Sequence, residues 1–97
     1  MTRPEASETC RALHVAPLQR DYERLTWQEA TPRADRIRVR EHTCSCRNIS
    51  YELCQAGGLV FVRRIYRSDS VVVHETDWLQ VGDAERLWMR ILLGQAY

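Results

Sequence analysis

Between Ile49 and Glu75 the chain carries two runs rich in β-branched and aromatic residues that meet at Gly57-Gly58. A polar turn and the apolar run Val71-Val72-Val73-His74-Glu75 follow. A glycine pair between two such runs is a strong hairpin signal, because a two-residue turn needs positive φ, which glycine adopts at no steric cost. With Gly57 and Gly58 as the turn, Glu52 falls opposite Arg63, Leu53 opposite Val62 and Cys54 opposite Phe61. One face of this hairpin carries Ile49, Tyr51, Leu53, Val60, Val62 and Tyr66; the other carries Cys54, Ala56, Leu59, Phe61 and Ile65. Both faces are more apolar than a sheet with one wet side requires, so each needs cover.

The rest of the chain gives weaker patterns. Residues 1–16 contain few large apolar side chains and predict a poorly ordered arm. From Pro17 to Glu29, Leu18, Tyr22 and Leu25 have helical spacing, while Leu25 and Trp27 alternate as in a strand, so the structure of residues 17–30 stays open. Thr31 to Asp35 reads as a turn, and Arg36-Ile37-Arg38-Val39-Arg40 as a half-buried strand with Ile37 and Val39 on one face. The last element is a helix beginning near Asp83 as N-cap and ending at Gly94, with Ala84, Leu87, Trp88 and Ile91 in one stripe. Met89, Leu92 and Leu93 widen that stripe beyond a single docking face. Together these elements define a single α+β domain over residues 17–97, a small antiparallel β-meander of three to four strands with a C-terminal amphipathic helix.

At 97 residues the chain holds one modest core. All 14 basic residues are Arg, a bias that folding physics does not produce and that points to a GC-rich coding sequence, hence a high-GC bacterium. A formal net charge of +1 excludes a whole-molecule polyelectrolyte, leaving only local patches for nucleic acid or anionic lipid. No secretion signal or membrane span is legible, which predicts a cytoplasmic protein without a membrane partner, whose four Cys read as thiols or metal ligands before disulfides.

Three constellations can carry chemistry. His42, Cys44 and Cys46 share a strand face by their spacing and, with Cys54 and His74, are soft ligands of the kind Zn²⁺ takes. On an extended strand, however, the two sulfurs of Cys44 and Cys46 stand roughly 7 Å apart, too far for one tetrahedral ion unless the chain turns there. The first expectation is therefore structural thiols with no metal or other cofactor, and a small zinc-stabilised module is an alternative; Cys10 and His14, four positions apart, add a further donor pair. Second, Arg36, Arg38 and Arg40 with Arg63, Arg64 and Arg67, interleaved with Tyr51, Phe61 and Tyr66, form the pattern by which sheets bind single-stranded nucleic acid. Against it stand Glu41, Glu52 and Glu75, which can pair those cations into a solvated face. Third, no nucleophile elbow, phosphate loop, metalloprotease helix or dinucleotide fingerprint accompanies the histidines, so no enzyme is expected.

The run from Tyr51-Glu52-Leu53 through Val60-Phe61-Val62-Arg63-Arg64 and Val73-His74-Glu75-Thr76-Asp77-Trp78 to Trp88-Met89-Arg90-Ile91-Leu92-Leu93-Gly94 resembles the BldB-like small developmental regulators of filamentous high-GC bacteria. The resemblance covers about half the chain, from Cys46 onward. It implies a small dimeric protein acting in morphological development and antibiotic production, often beside a helix-turn-helix regulator. The chain departs from that pattern in the Arg63 to Arg67 stretch and in the Cys44-Cys46 pair. The expected function is a non-enzymatic regulatory protein, a homodimer that modulates transcription by binding a partner regulator. Leu87, Trp88, Ile91, Leu92, Tyr51 and Val62 are the expected interface. A charge at Trp88 or Leu92 is expected to disrupt folding or assembly, and replacement of Arg64 to leave both intact.

Overall fold

The computed structural model describes residues 12–32 and 35–97. The first part of the expected N-terminal arm, with Cys10, lies outside the described residues. The elements are β1 (Gln28–Glu29), β2 (Arg38–His42), β3 (Ile49–Ala56), β4 (Leu59–Arg67), β5 (Val71–Glu75) and α1 (Val81–Leu92). The strands form one antiparallel sheet in the order β1-β5-β4-β3-β2, so β2 to β5 make a meander and β1 closes the far edge beside β5. The α+β class holds, with a short fifth strand supplied by the segment whose pattern was ambiguous.

The β3–β4 hairpin is the organising element. Its register runs from Ile49 opposite Tyr66 to Ala56 opposite Leu59, the pairing that the glycine turn dictates. Gly57 takes φ 63° and Gly58 does not share the positive value, the pattern of a II′ turn, whose twist suits a hairpin. Leu53, Val60 and Val62 are fully buried beneath α1, which contributes Ala84, Trp88 and Ile91 to the same core. On the opposite face Cys54 and Phe61 are also fully buried, and Trp78 stands edge-on to Phe61 with ring centroids 5.2 Å apart. Beyond β5 the chain keeps pairing with β4: Leu79 N–H donates to Val60 O at 2.7 Å and Thr76 N–H to Val62 O at 2.9 Å.

Two expectations need correction. The helix begins at Val81, not near Asp83, with Gln80 as an N-cap that makes no side-chain capping bond. Asp83 instead lies in the first turn, where it meets the positive end of the helix dipole and pairs with Arg86. Second, β2 is not half-buried: all five of its residues are exposed, as befits a charged edge strand. A register shift between Val39 and Glu41 puts Val39 opposite Cys54 and Glu41 opposite Leu53, so the strict alternation of faces breaks within the strand. The bulge has a use, since Glu41 Oε1, now on the helix side, accepts from Trp88 Nε1 at 3.1 Å. Residues 17–29, which the sequence left open between helix and strand, form no helix. Apart from a turn at Arg20-Asp21 they run extended, with Leu25 and Trp27 half-buried against the core.

That extended segment is held by the C-terminal tail. Ala16 N–H donates to Leu92 O, Gln19 N–H to Gly94 O, Glu23 N–H to Gln95 O and Leu25 N–H to Tyr97 O, all within 2.8–2.9 Å. Residues 12–16, assigned by the sequence to the arm, are thus tied into the domain, and Leu13 forms a parallel bridge with Thr43.

Candidate functional site

The connection from β2 to β3 is built around Thr43. Its N–H donates to Tyr51 O and its Oγ1 accepts from Tyr51 N–H, both at 2.9 Å, which fixes the strand end. The next residue, Cys44, is buried, and its N–H donates to Leu13 O at 2.7 Å. The chain then turns at Ser45-Cys46. Extended geometry would have separated the sulfurs of Cys44 and Cys46; the turn brings them together. The parallel bridge at Leu13 delivers the neighbouring His14 to the same place, with its Nε2 3.2 Å from Cys46 Sγ. The ligand atoms of His14, Cys44 and Cys46 all lie within 4.8 Å of one another.

His42 and Cys54, which the sequence grouped with this cluster, sit elsewhere. His42 is opposite Glu52 in the sheet and its Nδ1 lies 3.2 Å from Thr43 O, while Cys54 is paired with Phe61 in the buried hairpin. His14 takes the place assigned to His42. The signal for it was its pairing in sequence with Cys10, but only a contact between segments far apart in sequence could bring His14 to Cys44-Cys46.

A cleft opens next to this cluster, on the helix side of the sheet. One lobe of about 310 Å³ is lined by Val15 to Leu18, Arg47, Asn48, Ile49, Tyr51 and Tyr97. An adjoining lobe of about 350 Å³ is lined by Ile49, Arg64, Tyr66, Val72, His74 and Tyr97. Ile49 and Tyr97 belong to both. The lining is mainly apolar, with Arg64 as the fixed cation: its guanidinium stacks 4.4 Å from the Trp27 ring centre and 5.0 Å from that of Tyr97. This packing sets Arg64 between two aromatic rings of the fold. Burial pushes the Tyr51 hydroxyl up to about 12, with the Arg64 guanidinium pulling the other way.

The six candidate nucleic-acid arginines do not form one surface. Arg63 and Arg67 project to the sheet face away from the helix, Arg64 to the cleft side, and β2 sits at the edge with its register shifted between Val39 and Glu41. Arg63 is held by carboxylates, its Nε donating to Glu75 Oε2 at 3.0 Å and its Nη1 to Glu52 Oε1 at 3.1 Å. Burial lowers its proton affinity, but Cys54, Glu75 and Glu52 raise it more, so the guanidinium lies above its ordinary value. Arg67 Nη1 donates to Ser50 Oγ at 2.8 Å, and Arg40 lies 3.9 Å from Glu85. Arg36 and Arg38 are exposed.

Of the expected interface residues, Tyr51, Val62, Trp88 and Ile91 are buried in the core of the chain itself, and Leu87 and Leu92 pack partly buried against it. The apolar residues that reach the surface are others, among them Met89, Leu93, Tyr66, Val71 and Val72. No helix among the described residues is long and apolar enough to cross a membrane. No protein-family model, curated protein or solved structure matches the chain.

Proposed function

We propose that this chain is a small non-enzymatic regulatory protein that binds an apolar segment of a partner regulator in the cleft between the sheet and residues 15–18. The observation that carries the reading is the cleft itself: two adjoining apolar lobes share Ile49 and Tyr97, and Arg64 is locked between aromatic rings in the floor. Sites of this kind bind through apolar burial, with a few fixed polar groups setting orientation. The transcriptional role and a DNA-binding partner extend the resemblance to BldB-like regulators, and cytoplasmic action as a homodimer belongs to the same reading.

Direct nucleic-acid binding is the competing class. It needs several arginines on one stacking surface, whereas Arg63 is committed to two carboxylates and Arg64 to two rings. The test compares wild type with Val72→Glu, a substitution at an exposed cleft position. Partner recovery from the native cytoplasm is expected to fail for the variant while its Tm stays unchanged, and wild-type affinity should respond little to salt. Equal recovery by both proteins, or tight oligonucleotide binding that falls steeply with ionic strength, would defeat the reading.

A further inference from the structure

We propose that His14, Cys44 and Cys46 bind a zinc ion that fastens the N-terminal segment to the β2–β3 connection. The donors are one imidazole and two sulfurs, the set that Zn²⁺ favours over Mg²⁺ or Ca²⁺. In a tetrahedral site of this composition the ligand atoms stand roughly 3.3–3.8 Å apart, given Zn–S near 2.3 Å and Zn–N near 2.0 Å. The observed arrangement, with His14 Nε2 3.2 Å from Cys46 Sγ and all three donors within 4.8 Å, needs shifts of only about 1 Å to reach it.

The backbone is arranged to hold these donors before any ion arrives. Cys44 N–H is fixed to Leu13 O at 2.7 Å, the Leu13–Thr43 bridge sets the offset of the two segments, and the turn at Ser45-Cys46 folds the second sulfur back. Cys44 is buried while His14 and Cys46 are exposed, so the site has an inner anchor and an open approach for the ion. Three ligands fill three corners of the tetrahedron. The role is structural: the ion cross-links residues 30 positions apart, Cys44 and His14, and stabilises the wall of the cleft formed by Val15 to Leu18.

The experiment uses the full chain purified without chelator. Elemental analysis is expected to find equimolar zinc, and replacement by Co²⁺ should give thiolate-to-cobalt charge-transfer absorption with the d–d bands of a tetrahedral site. His14→Asn and Cys46→Ser should each weaken Zn²⁺ affinity beyond the ~10–100-fold typical of losing an outer-sphere partner, and His42→Ala should leave it unchanged. Should Cys46→Ser not fold, alkylation of Cys46 in the wild-type chain supplies the readout, with Zn²⁺ expected to slow it. A chain that takes up no metal on refolding with Zn²⁺, affinity unchanged in His14→Asn, or alkylation indifferent to Zn²⁺ would overturn the proposal. None of these readouts involves the partner cleft, so the metal site and the binding reading stand or fall separately.

Discussion

Arg63 shows how a single side chain can bind strands together. It reaches Glu52 on β3 and Glu75 on β5 from its own position on β4, and Glu75 is almost wholly buried. Removing the cation withdraws its attraction from a carboxylate that has left water, which is costlier than the pair's net contribution to stability. Arg63→Met is therefore expected to destabilise the domain by about 3 kcal/mol, read from urea unfolding midpoints at constant slope. Tyr51 provides a second residue-level test. Its ionisation is raised to about 12 in the fold against 10.0 for an ordinary tyrosine, so the unfolded chain releases the proton first as pH rises. The associated stability is fully present below about pH 10 and is lost between there and about pH 12, amounting to roughly 3 kcal/mol. Unfolding measured across that window should show the loss, and Tyr51→Phe should flatten it.

Among the elements, legibility followed the range of the interactions that set them. The hairpin register was readable because one glycine turn determines every pair from Ile49–Tyr66 to Ala56–Leu59. The helix was readable from the stripe of Ala84, Trp88 and Ile91, but its start was not, since Gln80 makes no capping bond and Asp83 resembles a cap. In β2 a one-residue register shift leaves no trace in an alternating sequence, and it overturned the assignment of faces. The segment at 17–29 is extended because the distant C-terminal tail pairs with it, information that no local window contains. The two glycines with positive φ allow a comparison. At Gly57 an added Cβ meets nothing within 4 Å, so Gly57→Ala should cost only the left-handed backbone penalty of about 1–2 kcal/mol. At Gly94 the same atom would come within 2.2 Å of Pro17 O, so Gly94→Ala should cost clearly more, and thermal unfolding of the two variants will rank them.

For the whole molecule, the sequence argued that two apolar hairpin faces need more cover than one helix gives. The chain itself supplies much of that cover: α1 on one side, Trp78 at Phe61 on the other, and Leu25, Trp27 and Val15 around the main core. The surplus that reaches solvent on the helix and at its C-cap is Met89 and Leu93, 54% and 46% exposed. If homodimers form through this surplus, Met89→Glu should halve the sedimenting mass without lowering Tm, whereas a charge at Trp88 should unfold the chain. An unchanged dimer in Met89→Glu would move the interface off the helix. Two of the three donors were legible, Cys44 and Cys46, because only Ser45 separates them; His14 required the bridge between Leu13 and Thr43.

The ladder between residues 16–25 and the C-terminal tail has a kinetic consequence. It joins positions such as Gln19 and Leu93, 74 apart in the chain, so its loop-closure entropy falls due only after the local hairpin has formed. Docking of the tail is then a late folding event, and the stretch that brings His14 to the thiols arrives with it. Amides of that ladder should exchange with solvent before those of β3 and β4, so the fold would be completed outward from the hairpin and released from the ladder inward.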